Sequence, residues 1–347
     1  MTASPLAKAS LLALVLVITS VTSWELYLRN KGYETIYDDD PALWSDKRKM
    51  VYEPADQSTV FIGSSRIKFD LDIPTWQNIT GDHAIQLACV GSTPLPVLDN
   101  LAKDEKFKGK LIVDVTEGLF FSASDGNASR PNDGLKYFKE QTPAQKAGFH
   151  INHFLESQFV FLDKERLSLN AQLDKLNVPD RAGIYNFKGF PAGFGRVRFN
   201  RQEYMTDLFA ADTILTNKVK AIWDGFRKAS KDPPASGAKL DSILNTIKID
   251  VDKIKARGGQ VLFVRTPSSG EFLMGENKGF PRDKYWERIL AVTNCQGIHF
   301  ADYPAIAHFT CPESSHLRQS DAILFTKNLI KILSEEKGWK FSRPVKL

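Results

Sequence analysis

Two short segments, far apart in the chain, carry residues whose types and spacing suit nucleophilic catalysis. Ser65 lies in Gly63-Ser64-Ser65-Arg66, directly after the apolar run Ser58-Thr59-Val60-Phe61-Ile62. His316 lies in Glu313-Ser314-Ser315-His316-Leu317, ahead of a helical pattern from Asp321 to about Glu336. A serine hydroxyl is a weak nucleophile until a base takes its proton, and the base works best when a carboxylate fixes its tautomer and stabilises the imidazolium. Ser65, His316 and Glu313 supply those three roles. Gly63 permits a tight turn that lifts Ser65 above the strand end. The backbone N–H groups of Ser65 and of Gly91, after Ile85–Val90, can then face a developing oxyanion. Arg66 suits pairing with an acid or a phosphate, and Arg265, in Arg265-Thr266-Pro267, suits an anionic sugar or phosphate; they are the candidate substrate-binding cations. The competing reading of Ser64-Ser65 is a helix cap, and Ser64 fits it better.

The elements that must bring these residues together read as alternating β and α. Strands are expected at Thr59–Ile62, Ala84–Val90, Lys110–Val115, Gln260–Val264 and Gly297–Ala301, each short, apolar and bounded by Gly, Pro or polar residues, as buried parallel strands are. Helices are expected at Leu95–Lys106, Lys239–Arg257, Asp283–Val292 and Asp321–Glu336. That order predicts a three-layer α/β/α sandwich on a five-stranded parallel sheet, with sites in the loops at the carboxyl ends of the strands. Residues 58–340 form this domain, interrupted by a largely helical insertion at about 121–238 read as a cap or partner-binding elaboration. Its Phe190 and Phe194, with Tyr185 and Phe187, are candidate carbohydrate platforms or plain core.

Composition narrows the class. The chain has 347 residues, 42% of them hydrophobic and 25% charged, with a net charge of +5, so a sizeable globular core is available. No basic tract or aromatic-interleaved basic stripe points to nucleic acid. Residues 6–28 are apolar enough to cross a bilayer, with Lys8 before the apolar run and Trp24 and Tyr27 suited to the interface. An uncleaved anchor over residues 1–28 is the favoured reading, against a signal peptide cut near Val21-Thr22-Ser23. Either exports the rest of the chain. Residues 29–57 then read as a polar stalk, with Trp44 as a docking point. Of three cysteines, Cys295 and Cys311 are spaced for a small disulfide loop bracing the histidine segment, which would contribute roughly 3 kcal/mol. Cys89, in an apolar run, reads as a buried thiol. The histidines lack metal-ligand spacing and no cofactor motif is present, so neither a metal nor a cofactor is expected.

Gly63-Ser64-Ser65-Arg66, then Gly91-Ser92, then Glu313-Ser314-Ser315-His316-Leu317 with Asp321-Ala322 behind it, resemble the blocks of SGNH (GDSL-type) hydrolases over roughly residues 58–120 and 258–337. The resemblance implies a flavodoxin-like sandwich with Ser65 as nucleophile, Gly91 as an oxyanion donor and His316 as base. Two positions depart from the pattern. The family's aspartate is Glu313 here. The family's asparagine donor is missing after Leu111–Val115, where Thr116 stands as the substitute donor and Glu117 follows. With its anchor, the chain is also similar to membrane-tethered SGNH-like proteins of bacterial envelope polysaccharide acylation. That implies an inner-membrane, periplasm-facing esterase or O-acyltransferase. It would act on acylated polysaccharide or oligosaccharide, with an integral membrane acyltransferase as a possible partner. The alternative is a degenerate scaffold that docks such an acyltransferase without chemistry of its own.

Overall fold

Among the described residues the chain forms seven strands, β1 (Ser58–Ile62), β2 (His83–Gln86), β3 (Lys110–Asp114), β4 (Arg196–Val197), β5 (Glu203–Tyr204), β6 (Gln260–Arg265) and β7 (Gln296–His299). In the computed structural model, which describes residues 4–122, 124–173, 175–176, 189–230 and 233–345, the fold is α/β. Five strands form one parallel sheet in the order β2-β1-β3-β6-β7. β4 and β5 make a separate antiparallel pair. The chain steps outward from β1 to β2 and returns on the other side of β1 with β3. This reversal opens a crevice beyond the carboxyl ends of those strands, where α/β sheets build sites. The second strand is shorter than the sequence suggests. Beyond Gln86 the chain still follows β1, with Leu87 N–H on Phe61 O at 2.8 Å and Cys89 N–H on Gly63 O at 3.1 Å. That path delivers Gly91 to the turn holding Ser64 and Ser65.

Each central strand is buried on both faces, as its unbroken apolar run requires. Val60, Ile62, Leu111, Val113 and Phe263 join one cluster with Leu98, Leu101, Leu244 and Val251 from helices Leu95–Lys103 and Gly237–Ala256. Phe61, Ile112, Leu262 and Val264 join a second with Leu329, Ile330 and Leu333 from helix Gln319–Glu335. The expected disulfide fails on this geometry. Cys295 packs against the first cluster, Cys311 belongs to the second, and both are free thiols on either side of the sheet, as is the buried Cys89.

The described residues divide into two compact units. One comprises residues 39–142 and 190–347, the other residues 1–38 and 143–189, so the stretch read as one insertion contributes to both. The first unit contains the sheet. Most of the expected stalk belongs to it too, because its apolar and basic side chains find buried partners. Asp40 caps helix Pro41–Lys49, the Trp44 indole donates to Leu87 O at 3.0 Å, and Arg48 bonds Asn100 and Asp104 at 2.8 Å. The Trp44 ring leaves no space for a side chain at position 134, where a Cβ would lie 2.8 Å from it. Asp39 is locked in as well. Its carboxylate bonds Lys68 at 2.6 Å and Arg201 at 2.7 Å, and Arg201 also reaches Gln86 O and Ala88 O. Arg201 sits at φ 65°, an uncommon backbone for a non-glycine residue. Burial pushes the Asp39 carboxyl up, but Arg201 and Lys68 overcome it and hold Asp39 below the usual carboxylate range.

The second unit contains helix Pro5–Asn30, long and apolar enough to cross a membrane, together with helix Pro143–Gln158 and shorter helical turns after it.

Candidate active site

Gly63 ends β1 where only glycine fits: a Cβ there would lie 2.5 Å from the Asp114 Cβ at the end of β3. The chain then turns into helix Ser65–Asp70. Ser64, as expected, caps it, accepting from Arg66 N–H at 3.3 Å. The Ser64 hydroxyl also shares a hydrogen bond with the Thr116 hydroxyl at 2.6 Å, and both lie within 3.3 Å of Asp114 Oδ2. The Thr116 hydroxyl is therefore consumed in holding the turn and is not the free oxyanion donor expected of it. The amides of Ser65 and Gly91 have no hydrogen-bond partner among the described residues, and Gly91 holds φ 61°, a conformation natural to glycine.

The histidine arrives on a loop bent by Ser314, another non-glycine residue in the left-handed region, at φ 81°. Ser314 O accepts from Ser269 N–H at 2.9 Å, and Ser269 Oγ accepts from Cys311 N–H at 2.8 Å, so the bend is held from both sides. Within it the Glu313 carboxylate folds back on its own chain. Oε1 accepts from His316 N–H at 2.6 Å, from Ser315 N–H at 3.3 Å and from His316 Nδ1 at 2.9 Å. The Trp223 indole, on helix Thr213–Ala229, donates to Oε2. With Nδ1 donating to Glu313, Nε2 is left as an acceptor, and it lies 2.8 Å from Ser65 Oγ. The extra methylene of glutamate is taken up by this backward fold, so the three residues are brought together as the sequence predicts. Phe69, at 4.4 Å between ring centroids, Phe194 at 5.7 Å and Trp223 at 6.0 Å surround the imidazole.

Arg66 and Arg265 are not substrate-binding cations. Both are fully buried, and both bond Glu276 of helix Gly270–Gly279. Arg265 also bonds Glu117 at 3.1 Å and Ser268 at 2.8 Å, and Arg66 Nε reaches Ser315 Oγ at 3.3 Å. Burial lowers the Arg265 pKa, but Glu117 and Glu276 more than reverse this and hold it above the ordinary arginine value. The network ties the serine helix to the residue preceding His316.

Sequence reasoning missed Trp223, Glu276 and Asp70. Asp70, on the serine helix, accepts from Leu317 N–H at 2.9 Å, while its Oδ2 is buried without a partner. Burial raises its pKa to about 7 against the pull of His316 and the Leu317 amide. Asp114 is raised by burial to about 6 against the pull of Arg66. The one signal for Asp70 was an acid set in an apolar run, Ile67-Lys68-Phe69-Asp70-Leu71. Among the described residues no three His, Cys, Asp or Glu side chains are gathered as metal ligands.

Compared with known protein families and with curated proteins, the chain matches none.

Proposed function

We propose that the chain is a serine esterase or O-acyltransferase of the SGNH type, built on a three-layer α/β/α sandwich. It is anchored in a bacterial inner membrane with its larger unit in the periplasm, and it acts on acyl groups, acetyl above all, of envelope polysaccharide. The observation that carries this reading is the hydrogen-bonded series from Ser65 Oγ through His316 to Glu313, at 2.8 and 2.9 Å. In the reaction Ser65 Oγ attacks the ester carbonyl as its proton passes to His316 Nε2. Glu313 steadies the imidazolium, and the amides of Ser65 and Gly91 face the oxyanion. Collapse expels the sugar alcohol, which takes the proton from Nε2 and leaves an acyl-Ser65 ester. Water or a second sugar hydroxyl, deprotonated by His316, then resolves it. The tether and the missing asparagine donor favour transfer to a sugar within an envelope complex.

One observation favours a second reading, a non-catalytic scaffold for an integral membrane acyltransferase. No side-chain amide stands where the family's asparagine donor does, and the Thr116 hydroxyl is occupied. The test is p-nitrophenol release from p-nitrophenyl acetate, with and without oligosaccharide acceptors, alongside fluorophosphonate labelling. A Ser65-dependent burst is expected, with acylated oligosaccharide marking transfer. Turnover and labelling no higher than in Ser65→Ala would sink the enzyme reading and leave the scaffold.

A further inference from the structure

The unit formed by residues 1–38 and 143–189 contains a helix with its apolar stripe on the outside. Helix Pro143–Gln158 packs by the side bearing Phe149 and His153, whose rings are 6.2 Å apart, and the Tyr37 ring lies 5.4 Å from His153. At about 100° per residue, the opposite side carries Ala147, Ile151, Phe154 and Leu155. All four are exposed, Ile151 at 61% and Phe154 at 62%. A helix of a water-soluble protein turns such a stripe inward. The pattern recurs independently in the next elements. Leu169, Leu173 and Leu176 follow the same helical spacing along and just beyond helix Leu169–Leu173, and they are 74%, 50% and 59% exposed.

The level of the C-terminal end of helix Pro143–Gln158 is set by bonds to the apolar helix Pro5–Asn30. Leu6 to Trp24 spans about 28 Å at 1.5 Å per residue, close to the roughly 30 Å of a bilayer's hydrocarbon. Trp24 and Tyr27 are stacked, with centroids 5.5 Å apart, at the level where aromatic residues mark the interface. In the same turn Glu25 accepts from Val160 N–H at 3.1 Å and Phe161 N–H at 3.2 Å, and four residues on, Arg29 donates to Gln158 O at 2.7 Å. The end of helix Pro143–Gln158 is thereby pinned to the turn where the apolar span ends. Phe154 and Leu155 lie about one turn from that pinned end, beside the roughly 5–10 Å layer that interfacial helices occupy.

We propose that the face made by Ile151, Phe154, Leu155, Leu169, Leu173 and Leu176 is seated in the headgroup–acyl boundary of the bilayer. This unit is then held both by a span and by a surface-lying collar. The inference rests on reading Pro5–Asn30 as a membrane anchor, and the experiment separates the two. The full chain, with Cys295→Ser, is placed in nanodiscs of phosphatidylcholine and phosphatidylglycerol. A nitrobenzoxadiazole label is attached to Phe154→Cys, Leu173→Cys, Val15→Cys or Lys248→Cys, one at a time. The labels at 154 and 173 should emit to the blue of the label at 248 and be quenched by nitroxide lipids bearing the spin label near the headgroup. The label at 15 should be quenched by mid-chain nitroxide. Water-like emission at 154 and 173 with quenching at 15 would overturn the collar and spare the anchor. Blue-shifted but unquenched emission there would mean that protein, not lipid, covers the face. An unquenched label at 15 would overturn the anchor and the collar together.

Discussion

Glu313 and Asp70 are both fully buried carboxyls close to His316, yet their surroundings differ in kind. Glu313 receives the imidazole Nδ1–H, two backbone N–H groups and the Trp223 indole. Asp70 receives the Leu317 amide on one oxygen and leaves the other buried and unpartnered. A buried carboxylate carries charge when donors replace the water it has lost, and otherwise keeps its proton. Donor count separates the two: four donors converge on Glu313, while one reaches Asp70, which burial pushes to about 7.

The largest expected effects come from breaking the relay itself. Ser65→Ala or His316→Ala should lower turnover of p-nitrophenyl acetate about 10⁴-fold or more, measured with the folded state checked by circular dichroism. Glu313→Gln should cost about 10³-fold in kcat. An amide has one accepting oxygen where four donors now converge, so in either orientation its NH2 faces another N–H. Wild-type turnover in that variant would mean that Asp70, not Glu313, supports His316. Asp70→Asn should act on stability instead. The unfolded aspartate ionises near 3.8 while the folded one keeps its proton to about 7. Its burial therefore destabilises the fold increasingly between those values and by a constant amount above them. Asparagine removes that cost, so denaturant titration should find the variant more stable by up to roughly 4 kcal/mol at pH 8 and unchanged near pH 4. The smallest effect is expected from Trp223→Phe, which keeps a ring but leaves Glu313 Oε2 without its donor. A kcat loss of about tenfold at constant KM fits the roughly 1–3 kcal/mol of an orphaned polar group.

The serine, the histidine and its acid were legible because each lies in a short block whose neighbours declare its setting. The apolar run before Gly63 fixes a strand end, and Glu313 is three residues from His316. β1, β3 and β6 were legible for the same reason, each a local apolar run, while β2 and β7 have one β-branched residue apiece, Ile85 and Ile298. Trp223 was not, because it lies 90 positions from the carboxylate it serves. Arg66 and Arg265 looked like anion ligands until folding set Glu276 between them. The cysteine pair failed because linear spacing carries no record of the sheet that separates them. Trp44 read as a docking point on a polar stalk, and its partner Leu87, like Asn100 and Asp104, which hold the neighbouring Arg48, comes from a later part of the chain.

The lock at Asp39 sets where this chain can be severed. A cut within residues 30–38 would part helix Pro5–Asn30 from a body whose charge clamp is complete. A cut past residue 40 would leave Arg201 facing two carbonyls and no carboxylate, and would take one of two acids from Lys68 on the serine helix. An uncompensated buried cation costs several kcal/mol. Arg201 also grips the carbonyls of Gln86 and Ala88, on the path to Gly91, so the damage would begin on the Gly91 side of the serine. A protease that separates the apolar helix and leaves the clamp whole has fewer than ten peptide bonds to choose from, and a cut a few residues later loosens the path to Gly91.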